Sequence, residues 1–448
     1  MTDITGIFKA YDIRGKVGTE LTSDVASRVG KALANWLPNQ GTVAVGRDMR
    51  PDSAELATAV IEGLRAQGRD VLDIGQVTTD MIYFAVGHFN LAGGAMVTAS
   101  HNPGDDNGIK LCREEAKPIG LDGGLQEIRD AVLADDFTAA STPGQLEQKE
   151  IAEEWIQHVL SFIDVDQLKP MKIAVDAGNG MAGKIFPELE PYVPFDVTEM
   201  YFELDGTFPN HLANPLKFET LADMIARIKA DKLDGGVAFD GDGDRAFLVD
   251  ETGEVITASV MTAMLAEYFL GRFPESHIIY DVRTSRAVPE IVQENGGTGV
   301  RQPVGHSYFK AAMRKTDAPF GGEGSGHFYF RDNWYADSGL IAAVIGLYVA
   351  GKSGLTLSQL RQKYTRYAAC PEINFTVTDK AAAIARITAA FSDKPQDTLD
   401  GLTVDLGNHA WFNVRTSNTE PLLRLNAEAS TMDEVNDIIS KVTELVSE

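Results

Sequence analysis

The stretch GGVAFDGDGDR, Gly235 to Arg245, runs from an apolar segment straight into three aspartates separated by single glycines. A short apolar run that ends in a polar, glycine-rich turn is how a buried strand hands over to a ligand-bearing loop. Three further segments repeat the form: TVAVGRD at Thr42–Asp48, KIAVDAGNG at Lys172–Gly180 and HIIYDVRTSR at His277–Arg286. Amphipathic stretches such as Leu221–Lys232 and Val260–Phe269 alternate with them, which predicts α/β units with mixed, largely parallel sheets. Ligands then belong at the carboxyl ends of the strands. The tail differs. Strand-like segments around Asn374–Val377, Leu402–Leu406 and Trp411–Val414, followed by a helix over Met432–Val446, predict a smaller α+β domain.

At roughly 100 to 200 residues per domain, the 448 residues favour three or four domains. The polar stretch Ala134–Glu150 interrupts the periodicity, and further breaks fall near Asp250 and Arg366, which divides the chain into 1–150, 151–250, 251–366 and 367–448. Lys and Arg number 40 against 65 Asp and Glu, a formal charge of −25. Such a surface repels a nucleic-acid backbone, so no nucleic-acid partner is expected and an anionic ligand needs a local basic pocket. Cys112 and Cys370 cannot build a disulfide framework, and no charged-then-apolar leader stands at Met1–Gly15, so the chain reads as cytoplasmic. The longest apolar run, Leu340–Ala350, is too short to span a bilayer, and no membrane partner is expected.

Asp240, Asp242 and Asp244 repel one another unless a hard divalent cation neutralises them, and the intervening glycines would let the loop wrap one, which points to Mg²⁺. A solvated acidic turn would look the same. An EF-hand is disfavoured: Glu251 falls at the twelfth position, but Arg245 occupies the sixth, where glycine is needed, and both flanks read as strands. GNGMAG at Gly178–Gly183, with Glu199 downstream, has the form of a dinucleotide fingerprint, yet Asp176 just before it would oppose a pyrophosphate, and a tight strand–helix turn is the plainer reading. In VTASHNP, Val97–Pro103, Ser100 stands beside His101. Neighbours in an extended chain point apart and no G-x-S-x-G elbow exists, so a hydrolase is disfavoured, while a phosphorylated Ser100 would need a cation and basic side chains nearby. RTSNTEPLLR offers Arg415, Ser417, Asn418, Thr419 and Arg424 to a phosphate monoester, and GEGSGH offers Glu323, Ser325 and His327, a carboxylate and a hydroxyl suited to vicinal sugar hydroxyls.

In this order along one chain, FKAYDIRG at Phe8–Gly15, TASHNP at Thr98–Pro103, DGDGDR at Asp240–Arg245, GEGSGH at Gly322–His327 and RTSNTEP at Arg415–Pro421 resemble the phosphohexomutase superfamily, specifically its bacterial phosphomannomutase/phosphoglucomutase group. The resemblance implies three related α/β domains and a C-terminal α+β domain around a central cleft, carrying in turn the phosphoserine, the metal, the sugar and the phosphate sites. It implies Ser100 as the phosphoserine and a fourth metal ligand beside Asp240, Asp242 and Asp244, with Lys110 in NGIK transferring protons, His327 as its partner and His101 in support. It further implies Glu323 and Ser325 as readers of the sugar hydroxyls and Arg415, Ser417, Asn418 and Thr419 as the site of the non-transferred phosphate. Tyr11, Arg14, Arg245 and His306 match cleft positions. Arg283 stands where some relatives carry lysine, and Gly324, where many carry methionine, is expected to loosen the sugar loop.

The implied reaction moves a phosphoryl group between C1 and C6 of mannose and glucose phosphates through the phosphoserine and a hexose 1,6-bisphosphate, with hexose phosphates as the partners of a monomer or small homo-oligomer. Phosphoglucosamine mutase is the alternative within the same architecture. Arg245 and Mg²⁺ would stabilise charge on the transferring group. Lys110 could act as a base only if surrounding cations depress its pKa toward neutrality, and a basic cleft is expected to supply them.

Overall fold

A computed structural model describes residues 4–416 and 422–447. By contacts the chain forms two compact units, one made of residues 1–256 and 326–358, the other of residues 257–325 and 359–448.

Buried apolar runs become the central strands of the first unit. In its first sheet Gly93–Val97, Val43–Arg47, Val71–Gln76 and Leu146–Gln148 lie parallel in that order, while Asp106–Arg113 and then Ile13–Lys16 close the other edge antiparallel. Val43, Val45, Ala95, Val97 and Ile109 pack with the helices Ser23–Trp36 and Ser53–Ala66 in one continuous core, which is what fixes the strand ends in space. In the second sheet Gly235–Phe239, Met171–Asp176 and Phe195–Met200 run parallel. Ala246–Asp250 returns antiparallel to Gly235–Phe239, pairing Phe239 with Ala246, so DGDGDR is the tight connection of a hairpin whose two arms are buried. The stretch read as amphipathic over Leu221–Lys232 is the helix Ala222–Asp231, which seals this sheet through Met224 and Ile228.

In the second unit Thr298–Gln302, His277–Asp281 and Phe320–Gly322 form a parallel set against the helices Ala258–Arg272 and Ala287–Glu294. The C-terminal segments form an antiparallel sheet in which Ile373–Thr376 and Ala410–Thr416 flank Leu422–Ala429, and Leu402–Gly407 lies beyond Ala410–Thr416. The helices Lys380–Ala390 and Met432–Ser447 cover it through Ile387, Val435, Ile438 and Val442. The predicted architecture of α/β domains with largely parallel sheets followed by an α+β domain is the one observed. Among the described residues no single helix is long and apolar enough to cross a membrane.

Candidate active site

Two loops meet at the carboxyl ends of the first unit's sheets. One follows the strand Gly93–Val97 and carries Ser100; the other is DGDGDR. Ser100 Oγ donates to Asp240 Oδ2 at 2.8 Å, and the same carboxylate accepts from Arg245 Nε at 2.9 Å. A methyl group on Gly241 would stand 2.5 Å from the Ser100 carbonyl oxygen, so only glycine lets the two backbones approach this closely. Ser100 itself has φ +53, a left-handed conformation that costs a non-glycine residue on the order of 1–3 kcal/mol and persists only where its surroundings hold it. The chain is therefore not extended at this point, contrary to the sequence expectation. The turn brings the Ser100 hydroxyl within 3.2 Å of His101 Nδ1 instead of separating them.

Two arginines hold that turn. Arg50, buried, donates from Nη1 to the carbonyls of Pro103 (2.7 Å) and Asp106 (2.9 Å) and from Nη2 to those of Ser100 (2.9 Å) and Asn102 (2.7 Å), with Asp48 as its counter-ion. Arg14 reaches the Ala99 carbonyl (3.1 Å) and Asn102 Oδ1 (2.9 Å) while paired with Asp12 at 2.7 Å. Tyr11 precedes Arg14 at the entrance to the strand Ile13–Lys16.

The acidic loop is braced from three sides. Thr79, at the start of the helix Thr79–His88, donates its backbone N–H to the Asp242 carbonyl (2.9 Å) and its hydroxyl to Asp242 Oδ2 (2.5 Å). The GNGMAG turn presses Gly180 against Gly241, and Met181 N–H bonds the Gly241 carbonyl at 2.9 Å, so the apparent dinucleotide fingerprint is a wedge under the acidic loop. Ser338, N-cap of the helix Gly339–Ser353, donates to the buried Asp80, which also accepts from Thr78. Burial pushes the Asp80 carboxyl up to about 8 against the pull of those two hydroxyls. Glu251 turns away to cap Ser358, which removes the EF-hand reading.

Asp240, Asp242 and Asp244 are buried, and one oxygen of each lies within 4.8 Å of the others. Lys110 Nζ contacts Asp242 Oδ2 (2.7 Å) and Asp244 Oδ2 (2.6 Å), while Arg245 takes Asp240. Burial raises Asp240 to about 7 against the influence of Arg245, whereas Lys110 outweighs burial and holds Asp242 well below the usual carboxylate range. Among the described residues, Oδ1 of Asp242 and Oδ1 of Asp244 are buried with no hydrogen bond, and His327 Nδ1 stands 3.8 Å from the latter. Such orphaned acceptors cost free energy unless a cation meets them, so the all-oxygen donor set fits Mg²⁺.

The proton-bearing groups depart from expectation. Lys110 is not ringed by cations. Burial opposes its charge, but Asp242 and Asp244 overcome burial and hold its pKa well above the ordinary value. His327 Nδ1–H donates to Asp337 at 2.8 Å, and although burial disfavours the charged ring, Asp244 and Asp337 raise its pKa. His101 is held well below its ordinary value, first by burial and then by Arg245, whose Nη2 donates to His101 Nδ1 at 2.5 Å.

In the second unit, Arg283 is tied to Asp281 (2.6 Å) with Glu323 at 3.5 Å. The Gly324 N–H bonds Asp281 at 2.8 Å, so Gly324 is anchored and does not loosen the loop; a side chain there would crowd the Arg283 guanidinium. Ser325 Oγ is buried with no hydrogen bond among the described residues, and Glu323, two residues before it, is buried as well. His306 opens the helix His306–Thr316. Arg415 and Arg424 are cross-strand neighbours, both within reach of Glu372. Ser417, Asn418 and Thr419 lie outside the described residues.

The chain matches the descriptions "Phosphoglucomutase/phosphomannomutase, alpha/beta/alpha domain I" over residues 5–139, domain II over 153–253, domain III over 257–367 and the C-terminal domain over 372–445. The chain belongs to the phosphoglucomutase/phosphomannomutase family. It is 44% identical over 425 residues to "Phosphohexose mutases" of Xanthomonas campestris pv. campestris, covering 94% of each chain. A phosphomannomutase of Salmonella typhimurium is 41% identical over 440 residues, with 96% of each chain covered. A crystal structure of a phosphoglucomutase/phosphomannomutase family protein from Burkholderia thailandensis superposes with a TM-score of 0.89 at 33% identity, covering 100% of this chain and 98% of that one. The mutase is thus an isomerase that acts on phosphohexoses.

Sequence reading passed over Asp48, Arg50, Thr79, Asp80, Asp337 and Glu372. Asp48 and Arg50 stood in plain view directly after the buried run Val43–Arg47, at a strand end where a charge needs a reason. Of the others, Thr79, Asp80 and Glu372 sit far in sequence from the groups they hold, and Asp337, ten residues after His327, carries no local signature.

Proposed function

We propose that this mutase interconverts the 6- and 1-phosphates of mannose, and of glucose, through a phosphorylated Ser100 and a hexose 1,6-bisphosphate. The observation that carries this reading is the Ser100 hydroxyl, held in a left-handed turn 2.8 Å from Asp240, in an aspartate trio of which two buried oxygens accept no hydrogen bond among the described residues. Asp240, Asp242, Asp244 and Ser100 would hold Mg²⁺, which supplies charge stabilisation for a transferring phosphoryl group. Residues 1–150 would carry the phosphoserine, 151–250 the metal loop, 251–366 the sugar readers and 367–448 the phosphate anchor.

In the forward step the bond between phosphorus and Ser100 Oγ breaks as one forms to the free sugar hydroxyl. The hydroxyl proton passes to a general base, and a proton returns to Ser100 Oγ. Asp337 fixes the tautomer of His327, since Nδ1–H donates to the carboxylate and the neutral ring keeps its lone pair on Nε2. Both groups are raised, His327 from an ordinary 6.5 and Lys110 from 10.5, so His327 is the one that reaches its neutral form at the lower pH and suits the base, and the tightly protonated Lys110 suits the acid or electrostatic role. Arg245 balances charge at Ser100. The bisphosphate then reverses its orientation and returns its other phosphate.

Glu323 and Ser325 would grip O3 and O4, which mannose and glucose present identically. A site that leaves C2 unread discriminates by no more than roughly 1–3 kcal/mol, so both sugars are substrates. Coupled assays with mannose 6-phosphate, glucose 6-phosphate and glucosamine 6-phosphate, together with intact-mass analysis for a phosphate on Ser100, test this. A Ser100→Ala variant with most of its turnover intact would refute the nucleophile, and turnover confined to glucosamine phosphate would refute the substrate.

A further inference from the structure

Arg415 and Arg424 face each other across two antiparallel strands, and Glu372 stands just ahead of the strand Ile373–Thr376 on the other side of Arg424. One carboxylate serves both cations. Its Oε2 accepts from Arg415 Nη2 at 2.9 Å, and its Oε1 lies 3.6 Å from Arg424 Nη1. The Arg415 side chain is 10% exposed, while Glu372 and Arg424 are 28% and 26% exposed, so the carboxylate that bridges them is itself within reach of solvent. Arg415 Nε is buried with no hydrogen bond among the described residues. Its pKa is lowered by burial and then by Arg283, the mark of a guanidinium short of negative charge.

This is the arrangement two guanidiniums adopt around an oxyanion, with a glutamate in the anion's place. A phosphate dianion carries more charge and more acceptor oxygens than a carboxylate. It can take the same donors only by displacing Glu372, whose side chain is exposed enough to swing aside. We propose that Glu372 is an internal competitor for Arg415 and Arg424, lowering the affinity for the substrate's phosphate so that a bisphosphate can leave the anchor and rebind reversed. The proposal rests on the reading of these arginines as a phosphate anchor. It gives the contact a kinetic purpose: an anchor with no competitor would hold the intermediate and slow its reorientation.

The test uses the full-length mutase and its Glu372→Gln variant, which keeps size and one acceptor oxygen but loses the charge. Calorimetric titration with inorganic phosphate reads the anchor without turnover, and Arg415→Met identifies the part of the signal that belongs to it. Glu372→Gln is expected to bind phosphate about tenfold more tightly, the scale of one lost competing charge-assisted hydrogen bond. It should also lower both KM and kcat for mannose 6-phosphate. Glu372→Asp, which retracts the carboxylate without removing its charge, should fall between the two and serves as the binding readout if the amide variant loses thermal stability. Phosphate affinity in Glu372→Gln that equals or falls below that of the parent overturns the proposal, whatever the turnover. Tighter phosphate binding in a protein whose Ser100 is never phosphorylated would uphold the competitor and refute the mutase mechanism instead.

Discussion

The Arg50 guanidinium lies 2.9 Å from the Ser100 carbonyl oxygen and donates further from Nη1 and Nη2 to the carbonyls of Asn102, Pro103 and Asp106. One planar fork thus holds the carbonyl of the strained serine and the backbone that follows it. A lysine keeps the charge beside Asp48 but cannot reach four carbonyls, and displacements of about 1 Å at a reacting atom cost on the order of 100-fold in rate. Arg50→Lys should stay folded and lose kcat on that scale, with little change in KM. Steady-state kinetics beside a melting curve check this, and a kcat within twofold of the parent would show that the turn needs no such brace.

Buried strands and their terminal loops were legible because apolar runs ending in DGDGDR, TASHNP and GEGSGH are local signals. The protonation landscape was not. Lys110 and Asp242 are 132 residues apart, and nothing in either neighbourhood says that the lysine's partners are carboxylates rather than cations. The left-handed turn at Ser100 was equally hidden. It is imposed by Arg50, Arg14 and the close approach of Gly241, all distant in sequence. Gly324 misled for the same reason, since Asp281 secures its amide from another strand end.

The orphaned oxygens of Asp242 and Asp244 predict that Mg²⁺ stabilises the fold itself. A ligand present at about 100 times its Kd adds roughly 2.7 kcal/mol. Mg²⁺ should raise the melting temperature of the parent and not that of Asp242→Asn, which should also lose metal-dependent turnover. An equal thermal response in both proteins would remove Asp242 from the metal site.

Two glycines with opposite surroundings make a paired test of packing. Gly241→Ala places a methyl 2.5 Å from the Ser100 carbonyl oxygen, so the acidic loop must shift, costing about 1–3 kcal/mol and most of the activity. At Gly271, in the helix Ala258–Arg272, a methyl group would meet nothing within 4 Å. Gly271→Ala should therefore stabilise the protein by about 0.5–1 kcal/mol and leave turnover alone. Denaturant unfolding and mutase assays on both variants distinguish the effects, and a stable, active Gly241→Ala would contradict the close approach.

Acid should weaken the mutase through His158. Its ring is packed among Phe84, Trp155, Phe162 and Trp334, with centroids 5.1 to 5.7 Å away, and it bonds Asn333 Oδ1 at 3.1 Å. Burial drives its pKa down to about 4; Asn333 and Asp332 oppose the shift and His88, stacked on Phe84, adds to it. In the unfolded chain the same ring titrates near 6.5. Between those two values the unfolded state binds the extra proton, so stability is complete above about pH 6.5 and drains away as pH falls toward 4, by about 3 kcal/mol in all. Replacing His158 with Phe removes the titrating group and keeps the aromatic packing, at the cost of the Asn333 bond. Carboxylates titrate in the same window, so the decisive quantity is the difference between the two proteins in unfolding free energy from pH 6.5 to pH 4. The parent should lose about 3 kcal/mol more than His158→Phe over that range, and parallel curves would mean that the ring gains its proton in the folded state without penalty.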